Sequence, residues 1–307
     1  MSNHISETLV TIGRGYVRDA PGCLGKAMLA ERFLNPWLRD HPRRRVVRTG
    51  FGSEMAVDTR DLIQRFIYLF GLWEPHMTHW LERRLRPGDT FVDVGANVGY
   101  YSLLASRLVG GTGKVVAIEA TPAFHRRVLL HTEMNRCDNV RAINAAVSDE
   151  PRKLTFILAS SSNLGAASIV PYEGPAEATF EVDAYPLPDL LAPEEIASAR
   201  VIKIDVEGAE GAVVRGMAPI LEKLRPDAEI TVEVNPERME RLGDSVTELL
   251  ETMREHGFHT YRLPNDYAPG SYPAALRRSV AVPVRLRGPV AEESDLIFSR
   301  VDAEELP

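Results

Sequence analysis

The sequence predicts an α/β fold, a parallel sheet covered by helices on both faces, and three observations carry that reading. Apolar runs of strand length recur in "TFVDVG", "KVVAIEA", "RVIKIDV" and "AEITVEV". Amphipathic stretches of helical spacing separate them. Glycines, prolines and acids punctuate the joints between the two kinds of run.

The elements follow in order. Residues 1–45 carry scattered apolar positions, Leu29, Phe33, Trp37 and Leu38, that suggest a helix or two. "RVVRTGFGSEMAVD" alternates like a hairpin with Gly50 and Gly52 near its turn. "DLIQRFIYLFGLWEP" places Leu62, Ile63, Phe66, Ile67 and Phe70 on one helical face. This N-terminal helical and hairpin extension, 1–86, is expected to pack on a core domain of 87–307. There the rhythm turns to strand and helix: "YYSLLASRLV" stops at Gly110-Gly111, and "PAFHRRVLLHTEMNR" has Pro122 at its first turn. "VRAINAAVS" reads as a third strand, 153–182 as an inserted β-hairpin, and "HTYRL" and "SDLIFSR" as the last two strands.

Composition narrows the function. Hydrophobic residues make up 44% and charged residues 26%, values of an ordinary globular protein. A net charge of −7 gives no global attraction to a nucleic-acid backbone. Cys23 and Cys137 form no C-x-x-C pattern, which fits a reducing compartment. No run of signal-peptide or membrane-span length occurs, so a cytoplasmic protein without a membrane partner is expected. A homo-oligomer is compatible with the sequence.

The candidate site begins at "FVDVGANVGYYS", 91–102. In a doubly wound sheet, ligands sit beyond the carboxyl ends of the strands. Gly95 and Gly99 allow a tight turn, and the following helix aims free amides at a ligand. A dinucleotide fingerprint requires a glycine where Asn97 stands. S-adenosylmethionine has no phosphates, and Asp93 would attract its ammonium where it would repel a pyrophosphate. Glu119, at the next strand tip, is placed to accept from ribose hydroxyls, and Ser148-Asp149, after the third, from the adenine amino group. The cofactor-binding set is therefore Asp93, Gly95, Asn97, Gly99, Glu119, Ser148 and Asp149.

A second acidic cluster lies in "VIKIDVEGAE" (201–210) and "ITVEVNPE" (230–237). Asp205, Glu207 and Glu233 are the candidate catalytic residues, surrounding the space that faces the transferable methyl. Methyl transfer needs alignment, and an alcohol acceptor must also lose its proton to a base or at a metal. Asp205, Glu233 and Asn235 offer oxygen ligands that Mg²⁺ would accept, and a direct carboxylate base serves equally. Glu210, one turn in, reads as a helix cap.

Asp93-Val-Gly-Ala-Asn-Val-Gly99 with Tyr100-Tyr101, "AAVSD" at 145–149 and "VIKIDVEGAE" resemble the FkbM-type methyltransferases over roughly 48–300. The "IKIDVEGAE" block is specific to that family, whereas the glycine turn is shared by most class I enzymes. The resemblance implies the Rossmann-like class I fold, a sheet of seven strands with its last strand antiparallel. It also implies methyl transfer from S-adenosylmethionine, typically to a hydroxyl. The chain departs from the family at "YPLPDLL", where Pro188 replaces one acid, and in the long segment 264–285.

On the acceptor side, Asn163 and Ser168 resemble the family's polar loop, and Tyr267 and Tyr272 are candidate lid residues in 264–285. The expected acceptor is a hydroxyl of a small molecule, sugar or peptide natural product. Unpaired carboxylates at Glu207 and Glu233 would repel the alternative, a carboxylate acceptor. A nucleotide-dependent oxidoreductase is opposed by Asn97, and a non-catalytic binding protein by the acids at 93, 119, 205 and 207.

Overall fold

β-branched and other apolar residues in runs of five or six suit a pleated, fully covered strand, and the sheet is built from such runs. The computed structural model describes residues 2–158, 167–168, 178–276 and 281–306. They fall into two compact units, Met1–His79 with Asn265–Val280, and Trp80–Pro264 with Ala281–Pro307. Residues 265–280, expected in the core domain, group with the N-terminal unit.

In the first unit, β1 (Arg44–Arg48) and β2 (Glu54–Asp58) form the expected antiparallel hairpin. The helix Leu62–Phe70 starts on Asp61, whose carboxylate accepts the Gln64 N–H at 2.9 Å. Phe66, Phe70 and Trp73 pack around Tyr272, with ring centroids 4.8 Å from Tyr272 for both phenylalanines.

The second unit holds β3 (Thr90–Val94), β4 (Lys114–Ile118), β5 (Val140–Ile143), β6 (Ala146–Val147), β7 (Arg152–Leu158), β8 (Ala167–Ser168) and β9 (Ala178–Tyr185). After these come β10 (Ala199–Ile204), β11 (Glu229–Val234), β12 (His259–Leu263), β13 (Val284–Arg285) and β14 (Ser294–Ser299). The main sheet runs β13-β12-β14-β11-β10-β3-β4-β5. Strands β3, β4, β5, β10 and β11 are parallel, and β14 lies antiparallel between β11 and β12. The sheet thus has eight strands where seven were expected, the two-residue β13 standing at one edge. Strand order reverses beside β3, so the carboxyl ends of β3 and β10 form the switch point. Val92, Val94, Ile202, Ile204, Ile230 and Val232 form the centre of the core, each at most 1% exposed.

The third expected strand is broken. After Ile143, Asn144 turns its amide back to donate to the carbonyls of Glu119 and Ala120, at 2.8 and 2.9 Å. Residues 146–147 then leave for a second sheet, order β6-β9-β7-β8. The expected hairpin is the antiparallel pair β7 and β9 within it. Among the described residues no helix is long and apolar enough to cross a membrane.

Candidate active site

The turn after β3 is fixed by contacts that demand its glycine. Gly95 has φ +84°, and a Cβ there would lie 1.8 Å from the carbonyl oxygen of Asp205. Only glycine permits that approach. The N–H groups of Gly95 and Ala96 donate to the Ile118 carbonyl, joining the turn to the end of β4. Asn97 is left-handed, φ +51°, a conformation asparagine tolerates. Gly99 caps the helix Tyr100–Val109, and buried His131 bonds the Val98 carbonyl through Nδ1 at 2.8 Å.

Asp93 lies inside the turn, 1% exposed. The Ser102 hydroxyl donates to its Oδ2 at 2.6 Å, while Oδ1 is buried with no hydrogen-bond partner among the described residues. Burial raises its pKa, opposed by the Lys203 charge and the Ser102 bond. A buried acceptor short of a donor fits an ammonium group such as the cofactor carries.

Glu119 is held by the Asn97 N–H on Oε2 and the Thr121 N–H on Oε1, both at 2.7 Å. Burial outweighs these bonds and lifts its pKa to about 7. Its place at the tip of β4, beside the turn, fits a ribose acceptor.

Ser148 and Asp149 follow β6 in the second sheet and not the tip of a main-sheet strand. Asp149 is engaged by Arg215 at 3.2 Å and Arg152 at 3.3 Å, and Ser148 accepts from Arg152 at 2.7 Å. Partial burial pushes Asp149 up, but its backbone bond, the Arg215 and Ser148 bonds and the Arg152 charge hold it below the ordinary value. Asp149, the expected adenine acceptor, thus faces two arginines. Asn144 stands at the tip of β5 itself, the position the unbroken-strand reading missed.

The second acidic loop meets the first directly. Asp205 extends the β3–β10 ladder through its N–H to the Val94 carbonyl at 3.0 Å. Lys203, in register with Asp93 and only 4% exposed, reaches forward so that Nζ donates to Asp205 Oδ2 at 2.8 Å. Its Nζ also lies 5.0 Å from the Tyr101 ring centroid. Glu207, φ +60°, forms an ion pair with Arg238, so the unpaired carboxylate expected there is not present. Glu233 is half-buried and in register with Asp295 of β14.

Asn235 has another task. Its Oδ1 accepts the Arg238 N–H as the cap of the helix Pro236–Arg241, and its Nδ2 donates to Glu293. Among the described residues no group of three or more His, Cys, Asp or Glu is placed to hold a metal. The Mg²⁺ set of Asp205, Glu233 and Asn235 is therefore not carried forward.

The acceptor-side expectations fare unevenly. Asn163 lies outside the described residues, and Ser168 contributes backbone to β8, in register with Ile157. Tyr272 is 0% exposed in its aromatic cluster and offers no surface to a substrate. Tyr267 stacks on Trp73 at 5.4 Å between centroids and donates to Glu74 Oε1 at 2.9 Å.

Acid-tipped parallel strands around a glycine turn, in a sheet whose last strand is antiparallel, fit the class I methyltransferase fold. The methyltransferase FkbM domain is matched over residues 93–260, more than half of the chain, and the chain belongs to that family. Protein-L-isoaspartate O-methyltransferase 2 of Archaeoglobus fulgidus is 32% identical over 108 residues, 34% of this chain and 48% of that protein. The chain thus spans about half the length of that curated relative. Among solved structures, methyltransferase FkbM from Methylobacillus flagellatus is 14% identical, with a TM-score of 0.41 over 77% of this chain and 52% of that one. Aeropyrum pernix fibrillarin with natively bound S-adenosyl-L-methionine is 12% identical, with a TM-score of 0.40 over 83% and 81%.

Proposed function

We propose that this methyltransferase transfers the methyl group to a hydroxyl oxygen of a small-molecule, sugar or peptide natural product. The observation that carries the reading is the Asp205 carbonyl packed where residue 95 has no Cβ, which brings the loop of Asp205 against the cofactor turn. S-adenosylmethionine supplies an electrophilic methyl when bound. Asp93, the backbone of 95–99 and Glu119 bind and orient it. Asp205 faces the acceptor, where its carboxylate takes the hydroxyl proton. Lys203 fixes that carboxylate's direction through the bond from Nζ to Oδ2.

A carboxylate acceptor is the second reading, favoured by one observation. The Lys203–Asp205 and Arg238–Glu207 ion pairs offset the negative charge that would repel an anion. The A. fulgidus relative is named as an O-methyltransferase, which supports oxygen as the methylated atom in either case.

The experiment is incubation of the purified protein with isotopically labelled S-adenosylmethionine and a panel of alcohols, sugars, peptides and carboxylic acids. Label recovered in an alkali-stable ether supports the hydroxyl reading. Label in a base-labile ester overturns it in favour of the carboxylate, and label on nitrogen or carbon overturns both.

A further inference from the structure

The helix Glu210–Leu221 begins without a side-chain cap, because its N-cap residue is Ala209. The acceptor is supplied from inside the helix. Glu210 is 1% exposed, and its Oε1 accepts the N–H of Val206 at 3.2 Å and of Gly208 at 3.0 Å. Its Oε2 is buried with no hydrogen-bond partner among the described residues.

The loop it holds is unusual. Glu207 and Gly208 are both in positive-φ conformations, +60° and +113°. A non-glycine residue in that conformation is disfavoured and persists only where its surroundings impose it. A Cβ on residue 208 would stand 3.0 Å from Cβ of Arg238, the partner of Glu207. The loop is thus pinned from below by Glu210 and from above by the helix Pro236–Arg241.

A helix start alone does not call for a buried acid. Serine or asparagine at 209 would satisfy it without removing a carboxylate from water. We propose that Glu210 is a positioning residue, whose buried carboxylate sets the 205–208 backbone so that Asp205 and Glu207 are presented to the acceptor. This rests on the reading of that loop as the acceptor side of the site.

Two variants separate loop positioning from general support. Glu210→Met fills the volume but accepts no hydrogen bond, while Glu210→Gln keeps a carbonyl acceptor at the same place. Amide hydrogen exchange is followed in each, with calorimetry of S-adenosylhomocysteine as the probe of the cofactor side. In Glu210→Met the amides of Val206 and Gly208 are expected to exchange at least about tenfold faster. Amides of β3 and β10 and the affinity for S-adenosylhomocysteine should hold, because the bonds lost are confined to the 206–208 loop. Glu210→Gln should restore most of the loop protection.

Unchanged exchange at 206 and 208 in Glu210→Met overturns the proposal. Protection lost equally across β3 and β10 also overturns it, since that is the mark of general structural support. Turnover supplies the functional arm: Glu210→Met should lower kcat at least about tenfold at constant cofactor KM, with partial rescue by Glu210→Gln, and unchanged kcat again overturns the assignment. The exchange measurement needs no acceptor, so it stands or falls independently of the hydroxyl reading.

Discussion

Acidifying the solution from pH 7.5 to 5.5 is expected to weaken S-adenosylhomocysteine binding, and Glu119 sets the size of the effect. Burial raises its pKa to about 7 in the free protein, against the bonds from Thr121 and Asn97. Ribose hydroxyls donate, so the bound state favours the ionised carboxylate, and below pH 7 a proton must leave before the bonds form. Each pH unit below about 7 then costs about 1.4 kcal/mol, a tenfold loss in affinity. Between the high-pH plateau and pH 5.5 the Kd should rise about thirtyfold, about half of that from pH 7 itself, and above about pH 8 it should level off. Glu119→Gln has nothing to titrate. It should bind about ten- to hundredfold more weakly at pH 7.5, from about 1.5–3 kcal/mol for bonds to a charged group, and lose most of the pH slope. Asp93 is also raised by burial, so any contribution from it has the same sign. Isothermal calorimetry in buffers of different ionisation enthalpy measures both the Kd and the protons released. A Kd that is flat or tightens on acidification refutes the reasoning, as does a Glu119→Gln slope equal to that of the wild type.

Stability should carry the same signature with the opposite pH trend. Glu119 and Glu210 both hold folded-state pKa values of about 7 against an ordinary 4.5, so their contribution is full below about pH 4.5 and is lost as pH rises through 7, at up to about 3 kcal/mol each. Urea denaturation of the cofactor-free protein at pH 5 and pH 8 tests this, and Glu210→Met should remove about half of the difference. Gly95→Ala should lose S-adenosylhomocysteine affinity at least tenfold, because the new Cβ meets the Asp205 carbonyl and φ +84° suits glycine alone; a calorimetric Kd equal to the wild type would contradict it. Asp205→Asn should keep cofactor affinity within a few-fold while turnover of the acceptor falls at least about tenfold, and turnover preserved within a few-fold removes Asp205 from the chemistry.

The sequence determined what local pattern can encode. Apolar runs such as "TFVDVG" marked the parallel strands, and glycines in "GANVG" marked a tight turn that another loop's backbone approaches, because strand burial and left-handed backbone each restrict residue type locally. The acids at 93, 119 and 205 were legible for the same reason: each stands at or next to the end of an apolar run. The tertiary structure decided which charges meet. Lys203 reaching Asp205 and Arg238 pairing with Glu207 depend on side-chain reach and on packing between elements distant in sequence, which spacing does not record. The break after Ile143 was hidden because Asn144 satisfies carbonyls of Glu119 and Ala120 in another strand's loop, and Asp149 was thereby carried to Arg215. Tyr272 looked like a lid residue beside prolines and glycines, yet the phenylalanines that bury it come from the helix Leu62–Phe70. Local sequence fixes the conformational menu of each segment, whereas the partners of a charge or a ring are fixed only when distant segments are folded against one another.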